Sequence, residues 1–327
     1  MPARVLVTGG AGFVGWHVAR RLLESGSRVR AIDNFDPFYA RAFKEHGVAL
    51  LRGSARFEFF CGDVREEAAL HDVLSGAAAV LHLAARPGVR QSLSKPATYQ
   101  SINVEGTRAV LAAARAGGVR RVVFASSSSV YGAGATLPFR EDAPLGEPLS
   151  PYAVTKQEGE RLCREFADAG LGRVAIVRLF SVYGPRQRPD LALHAFARRI
   201  ARDEPIPQFG DGSATRDYTH VHDVVNGMLA ALDWTEGEDP TCETFNLGTG
   251  RPVRLDSLIA KLGAAMGRTP RIEPRPAHPA DLPGTWADTQ RAQSILGYAA
   301  QVGLDAGIAE FVTWFGETYG RQSSTAA

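Results

Sequence analysis

Short apolar runs alternate with longer segments of helical period through the first half of the chain. Runs at 4–8, 28–32, 57–61, 79–83, 121–125 and 174–179 read as strands, and the segments 13–25, 66–74, 97–116 and 150–169 place apolar residues at helical spacing. Gly26 stops the first helix. Ser150 and Pro151 start the last, a side-chain acceptor at the N-cap followed by a residue with no N–H to satisfy. Strands that alternate with helices predict βαβ units and a parallel sheet covered on both faces. After Phe180 prolines and glycines crowd the segments 184–212 and 270–283, with a helix at 221–232 and a short strand at 244–247 between them. The expected class is α/β: a doubly wound parallel sheet over 1–180, which 218–250 rejoins, and a smaller interleaved C-terminal part from 181–217 and 251–327. Residues 323–327 are expected to fray.

Composition narrows the function classes. The chain has 327 residues, 45% apolar and 22% charged, with a net charge of +2, so it is globular and carries no sign of a nucleic-acid surface. Only four of the 37 basic residues are lysines, namely Lys44, Lys95, Lys156 and Lys261. Cys61, Cys163 and Cys242 are odd in number and lack metal spacing, which points away from a disulfide scaffold and a zinc site and toward a reducing cytoplasm. No apolar run approaches the roughly 20 residues of a membrane helix. Val5-Leu6-Val7 runs straight into glycines, unlike a signal peptide.

Those glycines carry the first chemistry. Gly9, Gly12 and Gly15 follow a strand and open a helix, with Phe13 and Val14 in its first turn. Such a loop gives a tight turn, close backbone approach and a helix N-terminus that favours a pyrophosphate. Asp33 ends the second strand, where an acid hydrogen-bonds an adenosine ribose and repels a 2′-phosphate. The predicted cofactor is therefore NAD on a Rossmann-type sheet. Asn34 lies beside the ribose acid, Asp63 and Val64 fall near the adenine, and Leu83, Ala84 and Ala85 let the backbone approach the cofactor.

Tyr152 and Lys156 stand four apart on one helix face. A phenol is a poor base at neutral pH, and an ammonium beside it stabilises the phenolate. The run Ser126 to Ser129, just past the fifth strand, supplies a hydroxyl donor for a substrate oxygen.

Together these motifs resemble the extended short-chain dehydrogenase/reductases of the nucleotide-sugar epimerase/dehydratase group. The resemblance rests on the glycine loop, His82-Leu83-Ala84-Ala85, the segment Ser126 to Gly132, Ser150-Pro151-Tyr152-Ala153 with Lys156, Arg178 with Val182 to Pro185, and Arg216-Asp217-Tyr218 with His220, Val221 and Asp223. It implies a hydride cycle with Tyr152 as base at a sugar hydroxyl, usually at C4. It also implies Lys156 on the nicotinamide ribose, Ser127 as the catalytic hydroxyl, and Asn103 supporting the nicotinamide side.

The branch follows from the same comparison. Sugar 4,6-dehydratases of the group carry Asp-Glu before Val-Tyr-Gly, and UDP-glucuronate decarboxylases place Glu at the second position; here Ser128 and Ser129 stand there. Hydride out and back, an epimerase, is what remains. The segment Arg186 to Leu193 resembles that of UDP-glucuronate 4-epimerases. By that likeness Arg188, Ser128, Ser129 and Ser181 face a substrate carboxylate, Arg90 and Arg216 the diphosphate, and Gln208 and Phe209 the uracil. His278, before Asp281, stands where the group places a phosphate arginine. A UDP-glucose or UDP-N-acetylglucosamine 4-epimerase is the rival within the class, and a non-catalytic NAD-binding regulator the rival outside it. His220 and His222 fall on opposite sides of an extended chain and read as structural rather than as a metal site. The helices at 97–116 and 150–169 carry broad apolar faces, and the group often pairs two such helices into a four-helix bundle, which implies a homodimer.

Overall fold

The computed structural model describes residues 3–278 and 281–319; the tail expected to fray lies outside the described residues. Six strands build the first half: β1 (Arg4–Thr8), β2 (Arg28–Asp33), β3 (Phe57–Cys61), β4 (Ala79–His82), β5 (Arg121–Ser127) and β6 (Arg173–Leu179). Four short strands follow, β7 (Ser181–Tyr183), β8 (Ile206–Phe209), β9 (Thr215–Arg216) and β10 (Tyr218–His220), and then β11 (Thr241–Leu247), β12 (Val253–Arg254) and β13 (Ile272–Arg275). The main sheet has seven strands in the order β3-β2-β1-β4-β5-β6-β11, with every neighbour parallel. Strand order reverses between β1 and β4, and ligands of such sheets bind beyond the strand ends at that switch point.

Side chains alternate across each strand. Val5 and Val7 pack on one face with Trp16, Leu22, Val224 and Met228 from helices Phe13–Glu24 and Val221–Trp234. Leu6, Val80 and Phe124 pack on the other with Leu70, Val110, Leu162 and Phe166. Two buried faces explain why the strands read as unbroken apolar runs rather than alternating ones.

The segment expected as one helix over 97–116 is three pieces: Pro96–Tyr99, a π-helical stretch Gln100–Glu105, and Gly106–Ala116. Asn103 lies in the π stretch and uses its whole amide, accepting from Arg86 N at 2.7 Å and donating to Arg86 O at 3.1 Å and Thr155 Oγ1 at 3.0 Å. That staple, joining the loop after β4 to the tyrosine helix, accounts for the local widening.

The C-terminal part has its own core, in which Leu193, Ile200, Leu258, Leu262, Ile308 and Phe311 meet. They come from helices Ala192–Ala201, Leu255–Ala265 and Leu304–Tyr319, which the proline-rich surroundings concealed in the sequence. Helix Val221–Trp234 and β11 return to the main sheet.

Candidate active site

The glycine loop needs its glycines. Gly9 adopts φ +70°, and a Cβ there would stand 2.8 Å from Ala84 N, while one on Gly15 would strike the Gly9 carbonyl. Helix Phe13–Glu24 starts at Gly12 with neither a side-chain cap nor an acid in its first turn, which leaves its first N–H groups for an anion. Thr8 Oγ1 accepts from Leu83 N and Ala84 N, both at 3.1 Å, and fixes the opposite wall.

One cleft runs from this loop to the catalytic pair. It is lined by Gly9, Gly12, Phe13, Val14, Gly15, Asp33, Asn34, Asp63, Val64, Leu83, Ala84, Ala85, Tyr152, Lys156 and Arg188. The bare helix end, the acid on β2 and the small-residue wall fit a pyridine dinucleotide. Asp33 Oδ1 accepts from Phe35 N at 2.8 Å and Oδ2 from Ala11 N at 3.2 Å, so the carboxylate is held rigidly. Asp63 is engaged by Arg65, whose hydrogen bond leads in bringing its pKa down to about 2, and Asn34 Nδ2 donates to it at 2.9 Å. Asn103 is absent from the lining and acts at one remove, through the staple described above.

Ser150 Oγ accepts from Ala153 N at 3.2 Å, and the helix it caps carries Tyr152 and Lys156 into the cleft. The electrostatics differ from the expectation that lysine acts on the phenol. Burial pushes the Tyr152 pKa up, opposed by hydrogen bonding from Ser127 and by the charge of Arg188. Lys156 instead donates to Ala125 O at 2.7 Å, and burial lowers its pKa to about 8. Ser129 donates to Ser127 Oγ from both N, at 3.2 Å, and Oγ, at 3.0 Å. Ser126 lines the cleft while its hydroxyl donates to Glu160 at 2.6 Å; Glu160 also takes two bonds from Arg178, at 2.9 and 2.8 Å. This buried network anchors the serine strand end from below.

Arg188 is one of the cations that line the cleft. Its guanidinium meets Asp190 twice, at 3.0 and 2.9 Å, and lies 5.6 Å from the Phe38 ring. Burial opposes its charge, but Asp190, joined by Tyr152 and Tyr39, raises its pKa. Ser181 opens β7 and Ser128 opens a single 3-10 turn, and neither lines the cleft.

The residues expected to contact the nucleotide lie outside that lining. Arg90 pairs with Asp281, Nη2 to Oδ2 at 2.5 Å, and stacks 4.0 Å over Phe209, the neighbour of Gln208 on β8. The His278 carbonyl accepts from Asp281 N at 2.9 Å. Arg216 Nη1 donates to Thr215 O at 2.8 Å.

His220 and His222 do converge, contrary to the extended-chain expectation, because the chain turns into a helix at Val221. Both approach Glu310, at 3.4 and 3.7 Å. His220 Nδ1 accepts from His222 N at 3.4 Å, a side-chain N-cap for helix Val221–Trp234. The pair acts as a helix cap.

Residues 36–44 were missed in the sequence. Arg86 Nη1 bonds both Asp36 oxygens, at 3.1 and 2.9 Å, and its guanidinium lies 5.4 Å from Phe38, so that ring contacts two arginines. Lys44 is 5% exposed and reaches back from its helix to donate to Asp36 O at 3.0 Å. The available signal was its residue type: in an arginine-rich chain, two of the four lysines, Lys44 and Lys156, are buried in this cleft.

Known proteins match this geometry. The family model described as NAD dependent epimerase/dehydratase matches residues 5–248. The chain is 36% identical over 312 residues to a UDP-glucuronate 4-epimerase of Thermodesulfobacterium geofontis, covering 94% of this chain and 95% of that one. It is 33% identical to a probable UDP-glucuronate 4-epimerase of Rhizobium meliloti, covering 98% and 99%. The crystal structure of a Bacillus cereus UDP-glucuronic acid 4-epimerase in complex with UDP-glucuronic acid and NAD superposes with a TM-score of 0.91 at 34% identity, over 97% of this chain and 100% of that one. MoeE5 in complex with UDP-glucose and NAD gives a TM-score of 0.84 at 39% identity, over 97% and 99%. With more than half its length matched, this chain belongs to the NAD dependent epimerase/dehydratase family.

Proposed function

We propose that the protein is an NAD-dependent UDP-sugar 4-epimerase whose preferred substrate is UDP-glucuronate, converted to UDP-galacturonate through a 4-keto sugar. The observation that carries this reading is the presence of Tyr152, Lys156 and Arg188 in one cleft with the glycine loop. Bound NAD supplies a hydride acceptor that can return what it takes. The protein's part is to move a proton and hold the sugar. Tyr152 accepts the proton of the C4 hydroxyl at its phenol oxygen and later gives it back. Ser127 hydrogen-bonds that phenol and lowers the cost of ionising it. Lys156, anchored on Ala125 O, holds the nicotinamide ribose.

Oxidation at C4 of UDP-glucuronate makes a β-keto acid, which readily loses CO₂. Arg188, with Ser128, Ser129 and Ser181, is the proposed clamp: a cation on the carboxylate keeps its charge localised and resists departure as neutral CO₂. Ser128 and Ser129, where acids stand in the dehydratases, leave no group for elimination. Arg90, Arg216, Gln208, Phe209, His278 and Asp281 are the proposed UDP contacts.

One observation favours an uncharged sugar as the second reading: Arg188 is already paired with Asp190, so part of its charge is compensated. Product analysis by NMR after incubation with a panel of UDP-sugars separates the two. UDP-galacturonate as the main product supports the first reading; turnover of UDP-glucose alone supports the second.

The division into a cofactor part, 1–180 with 218–250, and a sugar part, 181–217 with 251–327, belongs to the same proposal. So do a cytoplasmic setting, in keeping with three free cysteines, and a homodimer. Among the described residues no helix is long and apolar enough to cross a membrane. The apolar stripes of helices Gly106–Ala116 and Pro151–Asp168 are largely used on their own sheet, through Val110, Leu111, Leu162 and Phe166. A four-helix bundle would therefore meet through outer residues such as Val154, Glu158 and Arg161, with Leu93 and Val154 as its exposed apolar members.

A further inference from the structure

Phe38 lies on the segment that leaves β2, and its ring lines the cleft beside residues from both halves of the molecule. Its backbone is tied from the cofactor side. Asp36 Oδ1 accepts from Phe38 N at 2.9 Å, while both Asp36 oxygens accept from Arg86 Nη1. The Asp36 carbonyl accepts from Lys44 Nζ at 3.0 Å, and Asn34 Oδ1 closes the turn by accepting from Asp36 N at 2.9 Å. Strands β2 and β4 flank β1 in the sheet, so the Asp36–Arg86 pair reaches across the end of β1 and pins the segment there.

A ring pinned in this way can steady a second group. The guanidinium carbon of Arg188 lies over the Phe38 ring, 5.6 Å from its centre, within cation–π range. Arg188 is a planar fork, and its Nε–Nη2 edge is taken by Asp190 at 3.0 and 2.9 Å. Its Nη1 donates to no acceptor among the described residues, which leaves the Nη1–Nη2 edge uncommitted. A fork held along one edge can still hinge about the line of its two hydrogen bonds. A ring against its face removes that freedom and keeps water from that side, which strengthens any bond the other edge makes.

We propose that Phe38 is a positioning residue for sugar selection: its ring fixes the plane of the Arg188 guanidinium, so that the Nη1–Nη2 edge is presented to a carboxylate on the sugar. The inference rests on the reading of Arg188 as the carboxylate clamp. It also makes a segment of the cofactor side responsible for part of the choice of sugar. Pre-organisation of this kind acts on binding of the acid sugar rather than on proton transfer at C4. An aliphatic side chain of similar bulk fills the space but offers a cation no negative face, so ring and bulk can be separated.

The test uses the NAD-loaded enzyme, native and as Phe38→Leu, Phe38→Tyr, Arg188→Ala and the double variant Phe38→Leu with Arg188→Ala. The kcat and KM are measured with UDP-glucuronate, and UDP-glucose is titrated as a competitor to give its inhibition constant. Phe38→Leu should raise KM for UDP-glucuronate, relative to the UDP-glucose constant, by roughly 2- to 30-fold, the span of one cation–π contact, with a smaller change in kcat. Phe38→Tyr, which keeps the ring, should restore the native ratio. Once Arg188→Ala is in place, the leucine substitution should shift the ratio no further, because Phe38 acts through Arg188. A native ratio in Phe38→Leu, an equal loss for both sugars, or a loss that adds in full to that of Arg188→Ala overturns the proposal. A native ratio in Arg188→Ala, with Phe38 intact, overturns the clamp reading and this proposal with it.

Discussion

The two halves of the cleft are built by different means. On the cofactor side, each element is adjacent in sequence to the residue it positions: a strand ends, a glycine loop turns, a helix starts, and the anion site exists because the backbone takes that path. On the proposed sugar side, position comes from ion pairs between side chains, Arg90 with Asp281 across the chain and Arg188 with Asp190 two residues on. The backbone-built half tolerates little substitution at its glycines. The half built from side chains can be retuned one charge at a time, which suits a family that keeps one cofactor and varies the sugar.

The comparison predicts unequal sensitivities. The largest effect should come where both halves converge. Tyr152→Phe removes the base and should lower kcat by about 10²- to 10⁴-fold with NAD binding intact; near-normal turnover in steady-state assays would show that another group moves the proton. Next is the buried support beneath the serines. Glu160→Ala strands Arg178, which is 2% exposed, and should cost about 3–5 kcal/mol in urea unfolding. A loss below about 1 kcal/mol would mean that water relieves the stranded charge.

Arg90→Ala should weaken UDP itself by about tenfold, equally for every sugar attached, as expected for a charge-assisted bond to phosphate. Calorimetry with UDP that finds no change would reduce Arg90 to a bridge between Asp281 and Phe209.

Last comes the response to acid. Burial leads in lowering the pKa of His17 and His82 to about 3 and of His194 and His220 to about 4, from 6.5. The folded state thus refuses protons that the unfolded chain accepts. Stability is complete above pH 6.5, falls as pH drops below it, and levels off below about pH 3. Each histidine contributes on the order of 1 kcal/mol per pH unit within its window. Melting temperatures flat from pH 7 to 4.5 would contradict the burial of these rings.

The same contrast decides what the sequence could reveal. The six early strands, the glycine loop, Asp33 and the Ser150 cap with Tyr152 and Lys156 were legible because local periodicity and spacing encode them. The π-helical stretch was not, since it depends on Asn103 reaching Arg86 and Thr155. Nor were the Phe38 contact with two arginines or the meeting of His220 and His222 at Glu310, which are tertiary contacts without a periodic trace, nor the local pairing of Arg188 with Asp190 two residues on. Lys156 was legible by position, yet its bond to Ala125 O and the role of Arg188 in the electrostatics of the phenol required the fold.

The central claim is that the side-chain-built half selects a carboxylate through Arg188. Its most direct test is Arg188→Ala assayed with UDP-glucuronate and UDP-glucose in parallel, with released CO₂ and UDP-4-keto-pentose followed by mass spectrometry. The account predicts a loss in kcat/KM of roughly 10- to 150-fold for the acid sugar, with decarboxylated product appearing, and little change for UDP-glucose. An equal loss on both sugars with no CO₂ released would contradict it.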